Sequence, residues 1–305
     1  MKNYIELLKD VVENGVDKPD RTGIGSRAVF GRILRWDLAQ GFPMQTIRRV
    51  PLRIAFEETM FFLRGETNTK LLEEKNINIW KGNTSREFLD KRGLKHLPEG
   101  DMGKGYGYQW RHWETLREDR IWSHANETVV SRYSRGSDVD QIADLLSGMK
   151  KDPYGRRHVV TGWNPGQLNE MALPPCHMLH MYSVEGDFTV NQGKLNNCFV
   201  MRSNDVPFGL PFNIAAYALI NHIFAKHLGL APGELVYMGW DVHIYQNQMD
   251  MVNEMLGRTP RALPTLNIKK DLPTFDDILN LQWEDIELIG YDPHPDVKNK
   301  PGMAV

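Results

Sequence analysis

A helix that is apolar on every side cannot lie on a surface, and "LRIAFEETMFFLRG", residues 52–65, reads as such a helix. Leucine, isoleucine, phenylalanine and methionine recur around its circumference, so it demands a large core. A second long apolar helix runs from about Pro211 to Leu228. A chain of 305 residues can bury both. Around them lie short stretches rich in β-branched and aromatic residues: "SRAVFGRILRWDL" (26–38), "HVVTGW", "CHMLHMYSV", "DFTVNQ" and "LNNCFVMR". Residues 3–14 place Tyr4, Leu7, Leu8 and Val11 on one stripe of a further helix, with Gly15 as its C-cap. The pattern predicts an α+β fold, a mostly antiparallel sheet backed by buried helices. Residues 93–107 and 117–138 look like excursions from it. No linker or repeat divides the chain, so a single domain over 1–305 is expected.

Several classes of function are disfavoured at once. A formal net charge of -2 exerts no overall pull toward nucleic acid or an anionic membrane, so any anion site must be local. No apolar run is long enough to cross a bilayer. With only two cysteines, Cys176 and Cys198, a disulfide framework is not available. The expectation is a cytoplasmic protein with free thiols that binds neither nucleic acid nor membrane. The histidines do not cluster with Cys or carboxylates at zinc-type spacings, so no metal is expected.

Four features carry candidate chemistry. Cys176 follows Pro174 and Pro175 and precedes His177. A lone cysteine in an apolar strand is ordinarily inert packing, but a neighbouring cation or base can make its thiolate a nucleophile. Arginines stand in turns and at strand ends: Arg21 in "PDRTGIG", Arg156 and Arg157 in "DPYGRRHV", and Arg202 before Ser203 in "MRSND". A guanidinium fork beside a hydroxyl suits a phosphate dianion. Glu58 interrupts the apolar stripe of the first buried helix, where a carboxylate is retained either as an ion-pair partner or as a proton carrier. His243 and Tyr245, two apart in "GWDVHIYQN", share one face of an apparent strand.

In chain order, "DRTGIG", "IW" at 79–80, "YGYQWR" from Tyr106, "DPYGRRH", "ALPPCH", "RSNDV", "GLPFNIAAYAL", "DVHIY" and "GYDPHP" resemble the motifs of the folate-dependent, cysteine-nucleophile thymidylate synthase family. The resemblance runs nearly end to end. It implies that Cys176 attacks C6 of dUMP, and that C5 then takes a one-carbon unit from methylenetetrahydrofolate as co-substrate. It implies a homodimer with the sheet at its interface. Arg21, Arg202 and Ser203, with Arg156 and Arg157 from the second subunit, would then hold the phosphate and favour the Cys176 thiolate. By the same match Asn213 reads the uracil O4 and N3 edge, where relatives acting on deoxycytidylate carry Asp. His243 and Tyr245 hold the deoxyribose hydroxyl, while His177 and Asp205 line the pocket. Glu58 shuttles protons and Tyr106 helps remove the C5 proton. Folate contacts are implied at Ile79, Trp80, Leu173, Asp205, Phe208, Gly209, Phe212 and the terminal Val305, whose "GMAV" tail would close over the site.

The chain also departs from the family pattern. Met201 stands where many synthases have Gln, Phe208 where many have Leu, Trp240 where Gly is usual, and Lys81 where Asp is common; the "EGDFTVNQGK" hairpin is longer. These changes are expected around the ligand pocket. "MRSNDV" followed by "FG" resembles the phage deoxycytidylate hydroxymethylases, in which water captures the methylene that a synthase reduces. That leaves a dUMP hydroxymethylase as the alternative, with methyl transfer preferred because Trp80, Leu173 and Val305 resemble the parts that exclude water. A non-catalytic nucleotide- or RNA-binding module on the same fold would have no use for Cys176, Glu58, Tyr106 and Asn213 together.

Overall fold

The computed structural model describes residues 1–125, 128–190, 192–298 and 301. In chain order the elements are α1 (Lys2–Asn14), β1 (Val16–Lys18), β2 (Ser26–Asp37), α2 (Leu52–Leu63), α3 (Lys70–Glu73), α4 (Arg86–Lys91), α5 (Tyr106–Arg111), β3 (Leu116–Ser123) and β4 (Thr128–Arg135). They continue with α6 (Gln141–Lys151), β5 (Val159–Thr161), β6 (His177–Glu185), β7 (Lys194–Asp205), α7 (Gly209–Leu228), β8 (Ala231–Tyr245), α8 (Met249–Leu256), β9 (Thr265–Ile268), α9 (Phe275–Leu279) and β10 (Ile286–Ile289).

The central sheet has six strands in the order β1-β2-β8-β7-β6-β5. Every pairing is antiparallel except β7 with β8, which are joined through α7. The fold is therefore the expected α+β arrangement. As their all-round apolar sequences require, α2 and α7 are buried. They pack on each other, and α7 also covers β7 and β8. The core they share runs from Tyr4 to Val297 as one continuous cluster. One ladder row, Ile33–Met238–Val200–Leu179–Thr161, and the next, Arg35–Val236–Cys198–Met181–Val159, lie on the sheet face opposite the inward row of Trp36, Leu235, Asn197 and Tyr182. Ile33 and Val159 remain exposed at the ends of these rows.

One expectation needs correction and two gain detail. Gly15 is the C-cap of α1, in an extended conformation of φ -68, with its N–H donating to the Val11 carbonyl. Glycine is required there because a Cβ would lie 2.3 Å from the Val11 carbonyl oxygen. Residues 187–190 of "DFTVNQ" form a turn and not a strand, because Asp187 Oδ1 accepts from the Thr189 amide at 2.8 Å and its hydroxyl at 2.6 Å. Asn191 lies outside the described residues. Within the excursion at 117–138, β3 and β4 pair as antiparallel strands apart from the central sheet, and the periodicity is broken because neither face is buried.

Candidate active site

Cys176 sits immediately before β6, and its position is fixed by three groups from distant parts of the chain. Arg202, on β7, donates through its side chain to the carbonyls of Pro174 and Pro175, each at 2.9 Å. Its own amide donates to the Cys176 carbonyl at 2.9 Å. The Tyr106 hydroxyl, at the start of α5, accepts from the Cys176 amide at 2.7 Å. The consecutive prolines offer no N–H donors, so their carbonyls are the groups left for the guanidinium to grip. This leaves the Arg202 guanidinium 3.9 Å from Cys176 Sγ. Burial pushes the thiol up from its usual value, against the opposing pull of Arg202 and Arg21. In the ligand-free chain desolvation outweighs the two arginines, and the arginine-held thiolate stays an expectation drawn from the resemblance.

Glu58 faces the same place from α2. The Trp80 indole donates to Glu58 Oε1 at 2.8 Å, and burial pushes the carboxyl up to about 7 while that hydrogen bond pulls it back. The sequence left Glu58 open between ion pair and proton carrier. Glu58 has no ion pair among the described residues, and the ion pair belongs to its neighbour Glu57, 2.6 Å from Lys75 Nζ. His177 stacks on Tyr106 with ring centroids 4.1 Å apart, and its Nδ1 lies 2.7 Å from the Tyr217 hydroxyl. Burial pushes His177 down to about 3 and Tyr106 well above its ordinary range. Of these side chains only Glu58 changes charge near neutral pH.

These groups border a cavity of about 260 Å³. Cys176, His177, Tyr106, Glu58 and Asn213 supply its polar side; Ile79, Trp80, Leu173, Phe208, Gly209 and Phe212 supply an apolar slot. Asn213 Nδ2 donates to the Gly209 carbonyl at 3.1 Å, fixing the amide one turn into α7. Two lining residues were missed. Ile54 lies one turn before Glu58 on the same stripe, so helical spacing would have found it; Asn83, in the turn after Trp80, had no such signal. Val305 lies outside the described residues.

The remaining predicted residues stand outside this cavity. Arg21 is exposed on a turn held by Asp20, whose Oδ1 accepts from the Thr22 amide at 2.6 Å and hydroxyl at 2.5 Å. Gly23 and Gly25 of that turn have left-handed φ of 76 and 83, which favours glycine. Ser203 follows Arg202 on β7, in register with Asp241 of β8. His243 Nδ1 lies 2.8 Å from Asp241 Oδ1, and its ring meets Tyr245 edge-on at 5.0 Å. Asp205 accepts from the Gln248 amide and the Phe208 N–H, both at 3.2 Å, and burial raises its carboxyl. Arg156 and Arg157 are exposed, and their side chains make no ion pair or hydrogen bond among the described residues. Arg157 borders a separate cleft with Asp144 and His158. Among the described residues, no group of three or more His, Cys, Asp or Glu lies together as a metal site would require.

A family model described as thymidylate synthase matches residues 2–304. The chain belongs to the thymidylate synthase family. It is 42% identical to Thymidylate synthase 1/2 of Encephalitozoon cuniculi over 97% of this chain and 95% of that protein. Bifunctional dihydrofolate reductase-thymidylate synthases of Paramecium tetraurelia and Zea mays are 39% and 40% identical over 99% of this chain, which spans 61% and 54% of them.

Within that family the departures do not cluster around the ligand pocket as expected. Met201 is buried in the core, and Trp240 is exposed and shares a sheet face with Met238. Lys81 is exposed, with Nζ 3.7 Å from Glu73 Oε2. Only Phe208 borders the cavity, with the Arg48 guanidinium 5.3 Å from its ring centroid.

Proposed function

We infer that the protein transfers the one-carbon unit of methylenetetrahydrofolate to C5 of dUMP, forming dTMP and dihydrofolate. The observation that carries this is the meeting of Cys176 and Glu58 in one cavity whose other wall is an apolar slot. A flat heteroaromatic ring fits against Trp80, Leu173 and Phe212, and uracil fits beside Asn213. Cys176 Sγ bonds to C6 as the C5–C6 π pair moves toward O4 and C5, with Arg202 stabilising the sulfur as its proton leaves. Asn213 can donate to O4 and accept from N3–H, the pattern that uracil presents. The folate supplies the carbon unit and the hydride that reduces it. Tyr106 takes part in removing the C5 proton, and Glu58 relays protons because its carboxyl titrates near neutrality. Neutral His177 borders the cavity without adding a competing positive charge, while Asp205 stands outside it.

The chain acts as one catalytic domain over 1–305, in the cytoplasm, and as a homodimer. The apolar outer face of the sheet is the proposed interface. Arg156 and Arg157, whose side chains have no ion pair or hydrogen bond among the described residues, reach the partner's phosphate site, where Arg21, Arg202 and Ser203 stand ready; His243 and Tyr245 take the sugar hydroxyl. No helix among the described residues is long and apolar enough to cross a membrane. The hydroxymethylase alternative has no support: the relatives are named as synthases, and most of the departures that suggested it lie off the cavity. Mass spectrometry of the nucleotide after incubation with dUMP and methylenetetrahydrofolate, with absorbance followed for dihydrofolate, tests the reading. dTMP with stoichiometric dihydrofolate is expected; hydroxymethyl-dUMP without folate oxidation, or no product, defeats it.

A further inference from the structure

Two consecutive glutamates on α2 hold the same loop at different points. Glu58 accepts from Trp80 inside the cavity, while Glu57, with 5% of its surface exposed, pairs with Lys75 at 2.6 Å. Successive helical side chains diverge by roughly 100°, so the two carboxyls can serve different ends of one segment. Arg53, one turn earlier on α2, donates to the Lys75 carbonyl at 3.3 Å. Residue 75 is thus gripped through both its side chain and its backbone. Asn76 follows with a left-handed φ of 60, a conformation Asn tolerates, and the chain then turns back through Ile77 to Ile79 and Trp80. A nearly buried carboxylate persists only if paired, and the reaction derived above makes no use of this one.

We infer that the Glu57–Lys75 pair is a positioning device: it holds residues 75–80 against α2, so that the Trp80 indole stays on Glu58 and the apolar wall of the folate slot stays in place. As a statement about catalysis this rests on the function proposed above. Leu72 and Ile77 also anchor the segment through the core, and the test must separate the two contributions. The groups facing Glu58 favour a clean measurement. His177 from β6 is pushed down to about 3, and Tyr106 from α5, Tyr217 from α7 and the Cys176 thiol are all pushed up. None is charged near neutrality, and Trp80 and Asn213 do not ionise. The Glu58 titration therefore reports burial and the Trp80 bond. Because that bond lowers the carboxyl midpoint, losing it moves the midpoint upward from about 7.

The experiment is a carbon NMR titration of the ligand-free full chain labelled at glutamate carboxyls, with the Glu58 resonance assigned by Glu58→Gln. Lys75→Met and Trp80→Phe should each raise the Glu58 midpoint, the double variant should go no further than Trp80→Phe alone, and Lys75→Arg should match the unaltered chain. KM for the folate should rise severalfold in Lys75→Met while KM for dUMP holds. If Lys75→Met fails to fold, Glu57→Asp, which shortens the reach of the pair, should raise the midpoint partway. An unmoved midpoint in a folded variant, or shifts that add in the double variant, would reduce the pair to a structural tie and overturn the inference. Formation of dTMP by the unaltered chain decides the functional reading separately, so the two failures are told apart.

Discussion

The cavity around Cys176 and the exposed arginines outside it follow opposite rules. In the cavity the ionisable groups are buried or half-buried, and three of them are already bonded: Tyr106 to the Cys176 amide, His177 to Tyr217, Glu58 to Trp80. Outside it Arg21, Arg156 and Arg157 are exposed and have no ion pair among the described residues. The difference follows from what each region handles. Proton and carbon transfer gain from a dry, fixed site in which burial tunes each pKa. A phosphate dianion gains from cations not yet spent on internal carboxylates. The first region can be completed within one chain, and the second invites completion by another.

The sharpest break of the cavity's half is Cys176→Ser. Turnover should fall by ~10⁴-fold or more, because the hydroxyl is a far weaker nucleophile and nothing else in the cavity can replace the thiol. Binding of dUMP, measured by calorimetry, should persist. Appreciable dTMP formation by this variant would sink the covalent mechanism.

Glu58→Gln comes next, with kcat expected to fall by ~10²–10⁴-fold, the usual worth of a placed proton carrier. Stability should move the other way. The folded carboxyl titrates near 7 instead of its ordinary 4.5, so the folded state binds the proton more tightly than the unfolded one. Stability therefore declines as pH rises from about 4.5 to 7, by on the order of 3 kcal/mol, and the loss is complete above the folded value. Glutamine keeps an acceptor for Trp80 and carries no charge. Above pH 7 the variant should melt higher than the unaltered chain, and near pH 4 the two should coincide. A variant that melts lower at alkaline pH would show that the carboxylate is stabilised by something other than Trp80.

Asn213→Asp tests whether the cavity reads the base. A protonated or ionised carboxyl suits the amino edge of cytosine, so the ratio of kcat/KM for dUMP over dCMP should fall by ~10²-fold, a few kcal/mol of misplaced hydrogen bonding. An unchanged ratio would place base recognition elsewhere.

What was legible in the sequence divides along the same line. The helices α2 and α7 announced themselves because burial on all sides leaves no polar stripe. Cys176, Glu58 and Asn213 stood out against that apolar background once the motifs were read in order. Glu57 did not, since its partner Lys75 is eighteen positions away across a turn whose path only the fold shows. Asn83 was hidden for the same reason. The "DFTV" stretch read as a strand because its composition fits one, while the Asp187 side-chain bonds that make it a turn are local and easily overlooked. Met201 and Trp240 were placed near the pocket by their neighbours in the sequence. In a strand, adjacent residues face opposite sides, so nearness along the chain says little about which side of the sheet a residue serves.

The mildest prediction concerns two of the exposed arginines and tests whether they serve a second chain. Arg156→Ala with Arg157→Ala should raise KM for dUMP by ~10-fold while kcat changes little, since both arginines are proposed to act on the phosphate and neither lines the cavity. If they serve the partner's site, Cys176→Ser should rescue the raised KM of this double variant. In a mixed dimer the protomer with intact Cys176 receives arginines from the Cys176→Ser protomer, which still carries them, so one site in each such dimer is whole. Mixing the two chains under conditions that exchange subunits should therefore restore a low KM to part of the population. If the arginines act within their own chain, no mixed dimer contains a whole site, and the KM of the mixture stays at the raised value. That outcome would leave the cavity's chemistry untouched and remove the argument for completion by a second chain.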